Sequence, residues 1–335
     1  MGADSSKMDN SPSRSAVGTR HAPARIAEED TCLILQYHRV ATLCHDPFQI
    51  AVQPHKFESQ IRYLAENFNV ISMDEIRRHL ENAEPFTERT VAITFDGGYA
   101  DLLYTAKDVL ERFRVFATVF TPSAQIIEPQ LFWQNELEDI LIAGNPRGHL
   151  EIEIDDRCYM WSLTNRRDAF RTFDVLCSIM PNRTPSVQRR IVGQIRRALD
   201  SKAAEPDCHR TMDARELRML RHGGLITIGG HTHNLTKLSA LPQWQQIEEL
   251  ARNKDVLEEA LGRRIEYFSY PFGCEDSHTT KTMAALENLG FTLACANSYG
   301  TVAATDSATR YELPRVKVGN WNPFTFYKFL EGFFS

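Results

Sequence analysis

Asp96, His38, His231 and His233 are side chains of the kinds that move protons or hold cations, and each lies at or just past the end of an apolar run. Asp96 closes Val91-Ala92-Ile93-Thr94-Phe95-Asp96 and precedes Gly97-Gly98-Tyr99-Ala100-Asp101. His38 closes Cys32-Leu33-Ile34-Leu35-Gln36-Tyr37-His38, and Gly229-Gly230 leads into His231-Thr232-His233-Asn234-Leu235. Runs of this length read as buried strands. Strand ends are where barrel folds present reactive groups. A carboxylate and an imidazole placed there can act as base and acid, because imidazole titrates near neutrality. Histidines and carboxylates are also ligands for a divalent metal. The plainer alternatives are an Asp96 that caps the following turn and a His38 whose hydrogen bonds are satisfied in the core.

Something must hold these residues together, and the pattern around them is a strand–helix rhythm. The spacing predicts a strand at Cys32–His38, a helix over Phe57–Phe68 and a strand at Val70–Ile71. A helix over Met73–Leu80 follows, with Ser72 as its N-cap. Strand Val91–Phe95, helix Leu102–Phe113 and strand Ala117–Thr121 continue the alternation. The rhythm breaks over about 133–222, which reads as a helical insertion (Trp133–Ile142, Asn165–Ile179, Ser186–Leu199, Asp213–Arg221) serving as a lid or a protein-partner surface. It resumes with strand Leu225–Ile228, helix Pro242–Leu261, strand Tyr267–Tyr270, helix Thr279–Leu289 and strand Phe291–Ala294. The chain closes with Leu313-Pro314-Arg315-Val316-Lys317-Val318 and an aromatic helix, Phe324–Phe334. Alternation of this kind implies parallel strands with helices outside. Residues 1–30 have no periodicity and read as a disordered tail.

A net charge of −6 argues against nucleic acid, which favours a basic face. No apolar run reaches the roughly 18 residues of a membrane span. The N-terminus lacks the apolar stretch of a secretory signal. The seven cysteines are scattered without a CxxC pair and read as reduced thiols. These features point to a cytoplasmic protein.

The two motifs around Asp96 and His231 resemble the polysaccharide deacetylase (NodB homology) superfamily, also known as carbohydrate esterase family four. Tyr37-His38-Arg39-Val40, Phe132-Trp133, Tyr270-Pro271-Phe272-Gly273 and Leu313-Pro314-Arg315 extend the resemblance over roughly residues 31–325. The resemblance implies an α/β fold, a distorted (β/α)7 TIM-like barrel. It also implies a hydrolase that removes an N-acyl group from an amino sugar or glycan. Asp96 would be the base and His38 the acid, with Arg315 holding the ionised Asp96. Tyr270, Phe272, Tyr99 and Trp321 would line the substrate cleft.

A divalent metal, zinc or similar, is usual in that family, and here the pattern departs. Gly97 stands where the motif has a second Asp, and Leu235 where it has a second His. His231 keeps its place. His233, with Asp96 or Asp101, could rebuild the metal set only if the chain turns at Gly229-Gly230, because residues two apart on a strand face opposite ways. Three readings stay open: a metal-dependent deacetylase, a metal-free enzyme on the same barrel, and a carbohydrate-binding pseudo-deacetylase without turnover.

Overall fold

A computed structural model describes residues 30–86, 89–201 and 208–334. The tail expected over residues 1–30 lies outside them, apart from residue 30. The strands are β1 (Thr31–Tyr37), β2 (Arg39–Val40), β3 (Ala51–Val52), β4 (Asn69–Ile71), β5 (Thr90–Asp96), β6 (Ala117–Thr121), β7 (Gly148–Ile154), β8 (Arg157–Leu163), β9 (Ile226–Gly230), β10 (Tyr267–Ser269), β11 (Leu293–Cys295), β12 (Val302–Ala303) and β13 (Val316–Lys317). The helices are α1 (Pro54–Asn67), α2 (Met73–Asn82), α3 (Lys107–Phe113), α4 (Ala124–Ile127), α5 (Trp133–Leu137), α6 (Arg166–Ile179), α7 (Pro185–Ala198), α8 (Ala214–Arg221), α9 (Gln243–Leu261), α10 (Thr280–Asn288) and α11 (Pro323–Phe334).

The central sheet runs β11-β10-β9-β6-β5-β1, with β13 on the far side of β1, and every one of these pairings is parallel. A parallel bridge from Cys295 to Leu313 joins β11 to the segment that becomes β13. The sheet therefore curls until its two ends share that segment, as a distorted (β/α)7 barrel does. All seven residues of β1 and of β5 are buried, as strands covered on both faces must be.

Alternation within the strands sorts the barrel interior into two ends. Ile34 and Ala92 share an apolar cluster with Phe120, Tyr267 and Leu293. Two residues further on, the same faces carry Gln36 and Thr94, and then His38 and Asp96. Apolar packing fills one end of the barrel, and polar side chains fill the end where the strands finish. The intervening residues Leu33, Leu35, Val91, Ile93 and Phe95 face outward into the larger core against α1 and α11.

Local chemistry fixes the helix starts. Ser72 caps α2 through Glu75 in a reciprocal capping box, and Asp213 caps α8 through Glu216 in the same way. The predicted helix over Leu102–Phe113 begins as a π-helical turn at Leu102–Ala106 before α3.

The insertion differs from its sequence reading. It contains a β-hairpin, β7–β8, paired from Gly148↔Leu163 to Ile154↔Arg157. The signal was there: Leu150, Ile152 and Ile154 are buried while Glu151 and Glu153 are exposed, the alternation of a half-buried strand. Asp155 and Asp156 turn the hairpin at φ 51° and 60°, as two-residue turns require. The hairpin and α5, α6 and α7 share their own core around Leu137, Leu141, Phe173, Leu176 and Ile191. The expected helix Asp213–Arg221 is not part of that unit. Leu217 and Leu220 of α8 join the barrel core instead.

Candidate active site

At the C-terminal ends of the strands lies a cavity of about 330 Å³. Gln36, His38, Asp96, Gln134, Asn135, His231, Asn297 and Lys317 are among its polar groups. Tyr99, Phe132, Trp133, Leu235 and Phe272 are among its aromatic and apolar walls. Phe132 to Asn135, Cys177 and Pro181 come from the insertion, which therefore forms a wall of the site as well as a surface.

Asp96 is held by a buried guanidinium. Arg315 donates from Nη1 to Oδ1 at 2.8 Å and from Nη2 to Oδ2 at 2.7 Å. Gln36 Nε2 at 2.7 Å and Ser269 Oγ at 3.2 Å also donate to Oδ2. Burial alone would raise the carboxyl pKa. Arg315 and His231 overcome it and hold the group well below the usual carboxylate range. Arg315 is anchored in turn by Ala296 O, Asn297 Oδ1 and Thr94 Oγ1.

His38 is half-buried, and desolvation pushes its pKa down to about 4, against a smaller upward pull from Asp96. At neutral pH it is a neutral imidazole beside an ionised carboxylate. His231 is also lowered by burial. Its Nδ1 lies 2.7 Å from Ser269 O, an acceptor only, so Nδ1 carries the hydrogen and Nε2 keeps its lone pair. Lys317 lies on the cavity wall, and burial lowers its ammonium pKa. Sequence reading missed Gln36, Ser269, Asn297 and Lys317 as site residues. A signal existed for two of them: Gln36 and His38, like Arg315 and Lys317, are two apart on extended chain and share a face.

Several expected residues sit elsewhere. Tyr270 is fully buried, stacks on His278 at 3.9 Å and donates to Tyr311 O, so it packs the core and does not line the cleft. Trp321 packs on Phe329 outside the cavity. Phe272 and Tyr99 do line the cavity, and Tyr99 donates to Asn135 Oδ1 at 3.2 Å.

The metal set suggested by sequence does not assemble. His231 and His233 part company: His233 Nδ1 pairs with Ser123 Oγ at 2.9 Å and the ring lines a separate hollow with Arg189 and Arg252. The turn is not at Gly229-Gly230, which end β9, but at Thr232, φ 59°. Asp101 accepts from Arg39 Nε at 2.8 Å and from Val40 N. Gly97 has φ +102°, and a Cβ there would lie 2.7 Å from Tyr99 Cε2. The ring of Tyr99 thus occupies the space a second aspartate would need. Leu235 presents an apolar side chain to the cavity. His231 Nε2 is suited to a metal, but the residues around it do not complete the ligand set a divalent ion requires.

The comparisons with known proteins agree with this architecture. Residues 193–294 match the family model described as polysaccharide deacetylase. The Bacillus subtilis (strain 168) protein YxkH, whose name places it among polysaccharide deacetylases, is 21% identical over 286 residues, covering 85% of this chain and 70% of that protein. The Streptococcus pyogenes deacetylase PplD, solved with acetate, superposes with a TM-score of 0.58 at 16% identity, over 90% of this chain and 98% of that one. IcaB from Ammonifex degensii gives a TM-score of 0.59 at 17% identity, over 92% and 100% of the two chains. These matches identify the chain as a relative of the polysaccharide deacetylases, in sequence over residues 193–294 and in fold over the barrel.

Proposed function

We propose that the cavity takes an N-acylated amino-sugar unit of a glycan and hydrolyses its amide without a divalent metal. The observation that carries this reading is the neutral His38 beside an Asp96 that Arg315 holds ionised, in a cavity with Lys317 on its wall. Aromatic walls at Tyr99, Phe132, Trp133 and Phe272 offer apolar faces to a sugar ring.

Asp96 was expected to be the base. With Arg315, Gln36 and Ser269 all donating to it, its charge is better suited to stabilising a neighbouring cation than to taking a proton. His38 is therefore the proton carrier. Its neutral imidazole accepts a proton from water as the water oxygen bonds to the acyl carbon. Asp96 stabilises the resulting imidazolium. The oxyanion forms beside the Lys317 ammonium, which lies at the cavity rim and also donates to Phe48 O. Collapse breaks the carbon–nitrogen bond, and His38 returns its proton to the departing nitrogen. Water and amide become carboxylic acid and amine. His231 Nε2, a lone pair fixed by Ser269 O, accepts a hydrogen bond from the attacking water.

One observation favours a second reading, a glycan-binding barrel without turnover. Tyr99 and Leu235 fill the places of two ligands, and metal activation of water is worth many powers of ten. The test is amine release from N-acetylated amino-sugar oligosaccharides, with binding followed by calorimetry. Turnover that is lost in His38→Ala while binding persists supports the hydrolase. Binding with no amine release in the parent chain supports the second reading.

A further inference from the structure

Between α7 of the insertion and the flank of α9 on the barrel lies the second hollow, of about 230 Å³, which the proposed reaction does not use. Arg189 of α7 and Arg252 of α9 both line it, and neither guanidinium has an ion pair or hydrogen bond among the described residues. Both stand near enough to His233 to add to the effect of burial, and together these bring its pKa down to about 4. His233 is 5% exposed, and its Nδ1 is taken by Ser123 Oγ, which lies off the hollow. The other edge of the ring faces the hollow, and its Nε2 has no partner among the described residues. The start of α7 borders the same space through Thr184 and Ser186. Thr184 makes no side-chain cap bond, because its hydroxyl pairs with Ser186 Oγ at 3.1 Å. The positive end of a 14-residue helix is therefore left open there.

Two carboxylates also line the hollow. Glu249 is occupied by Asn234, whose N and Nδ2 donate to it at 2.8 and 2.6 Å. Glu248, one turn before Arg252 on α9, is exposed and unpaired among the described residues. Two guanidiniums, a helix N-terminus and an open imidazole edge thus face one free carboxylate.

We propose, resting on the glycan reading above, that this hollow is a subsite for an acidic sugar, a hydroxyl-rich ring carrying a carboxylate, in the same glycan whose N-acylated unit enters the cavity. Arginines recognise a carboxylate by paired hydrogen bonds, and a helix N-terminus favours the same charge. Glu248 and Gln245 would stand idle around a bare inorganic anion, but they can accept from and donate to ring hydroxyls. Trp244, 64% exposed and one turn before Glu248, offers an aromatic face at the rim. The hollow and the cavity are linked by shared walls. Pro185, Arg189 and Asn234 also line a smaller hollow, which in turn shares Phe132, Trp133 and Gln134 with the cavity. On that connecting stretch Trp133 Nε1 and Gln125 Oε1 are buried without partners, one donor and one acceptor along the path of a hydroxylated chain.

The test is calorimetric titration of the full chain with two probes. One is hyaluronan hexasaccharide, in which glucuronate alternates with N-acetylglucosamine; the other is the uncharged N-acetylchitohexaose. The chain carries a net charge of −6, so a preference for the acidic probe must come from a local site. That probe should bind at least about tenfold more tightly. The Arg189→Met, Arg252→Met double variant should erase the preference and leave the affinity for N-acetylchitohexaose unchanged. Arg190→Met, on the same helix but off the hollow, should preserve it. In nuclear magnetic resonance titrations the acidic probe should raise the pKa of His233 above its free value, since the bound anion offsets the two arginines. Equal affinity for the two probes overturns the proposal, as does failure of the acidic probe to bind. So does a preference that survives the double variant or disappears in Arg190→Met. Amine release is followed in the same samples: its absence counts against the hydrolase and leaves the charge preference standing.

Discussion

Arg315 and Asp96 meet through two parallel hydrogen bonds, Nη1 to Oδ1 at 2.8 Å and Nη2 to Oδ2 at 2.7 Å, with both side chains almost fully buried. A bidentate pair of this kind fixes the carboxylate plane as well as its charge. It also makes each partner dependent on the other. Arg315→Met should cost about 3–5 kcal/mol in urea unfolding, because it leaves a buried carboxylate unpaired. Adding Asp96→Leu should recover much of that loss. A single Arg315→Met variant as stable as the parent would contradict the buried pairing.

Replacing the two missing family ligands should not create a metal site in the cavity. Gly97→Asp meets the Tyr99 ring at 2.7 Å and must adopt φ +102°, a conformation costing about 1–3 kcal/mol for an L side chain. The Gly97→Asp, Leu235→His double variant is therefore expected to be destabilised and to bind no zinc equivalent beyond those of the parent. Metal analysis after dialysis checks this, and a gained equivalent would refute it.

Acid should weaken the fold well before carboxylates titrate. His38 and His233 have pKa values lowered to about 4 by burial, whereas unfolded histidine titrates near 6.5. Between those values the unfolded chain binds more protons, so stability is fully present above about 6.5 and falls as pH drops toward 4. Each histidine accounts for up to about 3 kcal/mol of that fall. Unfolding free energies measured across this window should have a shallower slope in His233→Gln than in the parent.

If Lys317 stabilises the oxyanion, Lys317→Met should lower kcat about 10²–10³-fold with little change in KM. An equal loss in binding and turnover would reduce Lys317 to a substrate contact. The pH–rate profile should rise through about 4 as His38 loses its proton and stay level through neutrality.

The sequence alone determined the barrel. Runs such as Cys32–Tyr37 and Val91–Asp96 are long enough and apolar enough to be covered on both faces, and covered parallel strands with outer helices leave few other architectures. Asp96, His38 and His231 stand at the ends of apolar runs, and all three face the cavity; Arg315, suggested only by the family resemblance, reaches Asp96 from behind it. The hairpin β7–β8 was legible in its alternation and was overridden by the helical character of its neighbours.

Only the tertiary structure decided which polar residues meet. Tyr270 lies in core packing between His278 and Phe268, and Trp321 against Phe329, although both are aromatic residues near site motifs. His231 and His233 diverge because Thr232 takes a left-handed conformation and Glu249 O accepts the His233 backbone N–H. Tyr99 fills the space beside Gly97 through a backbone turn that no spacing rule encodes. Asp139 and His209 are 70 residues apart and approach only because the insertion folds back on the barrel. Periodicity reports which face a side chain occupies, but the partners across that face are set by long-range packing.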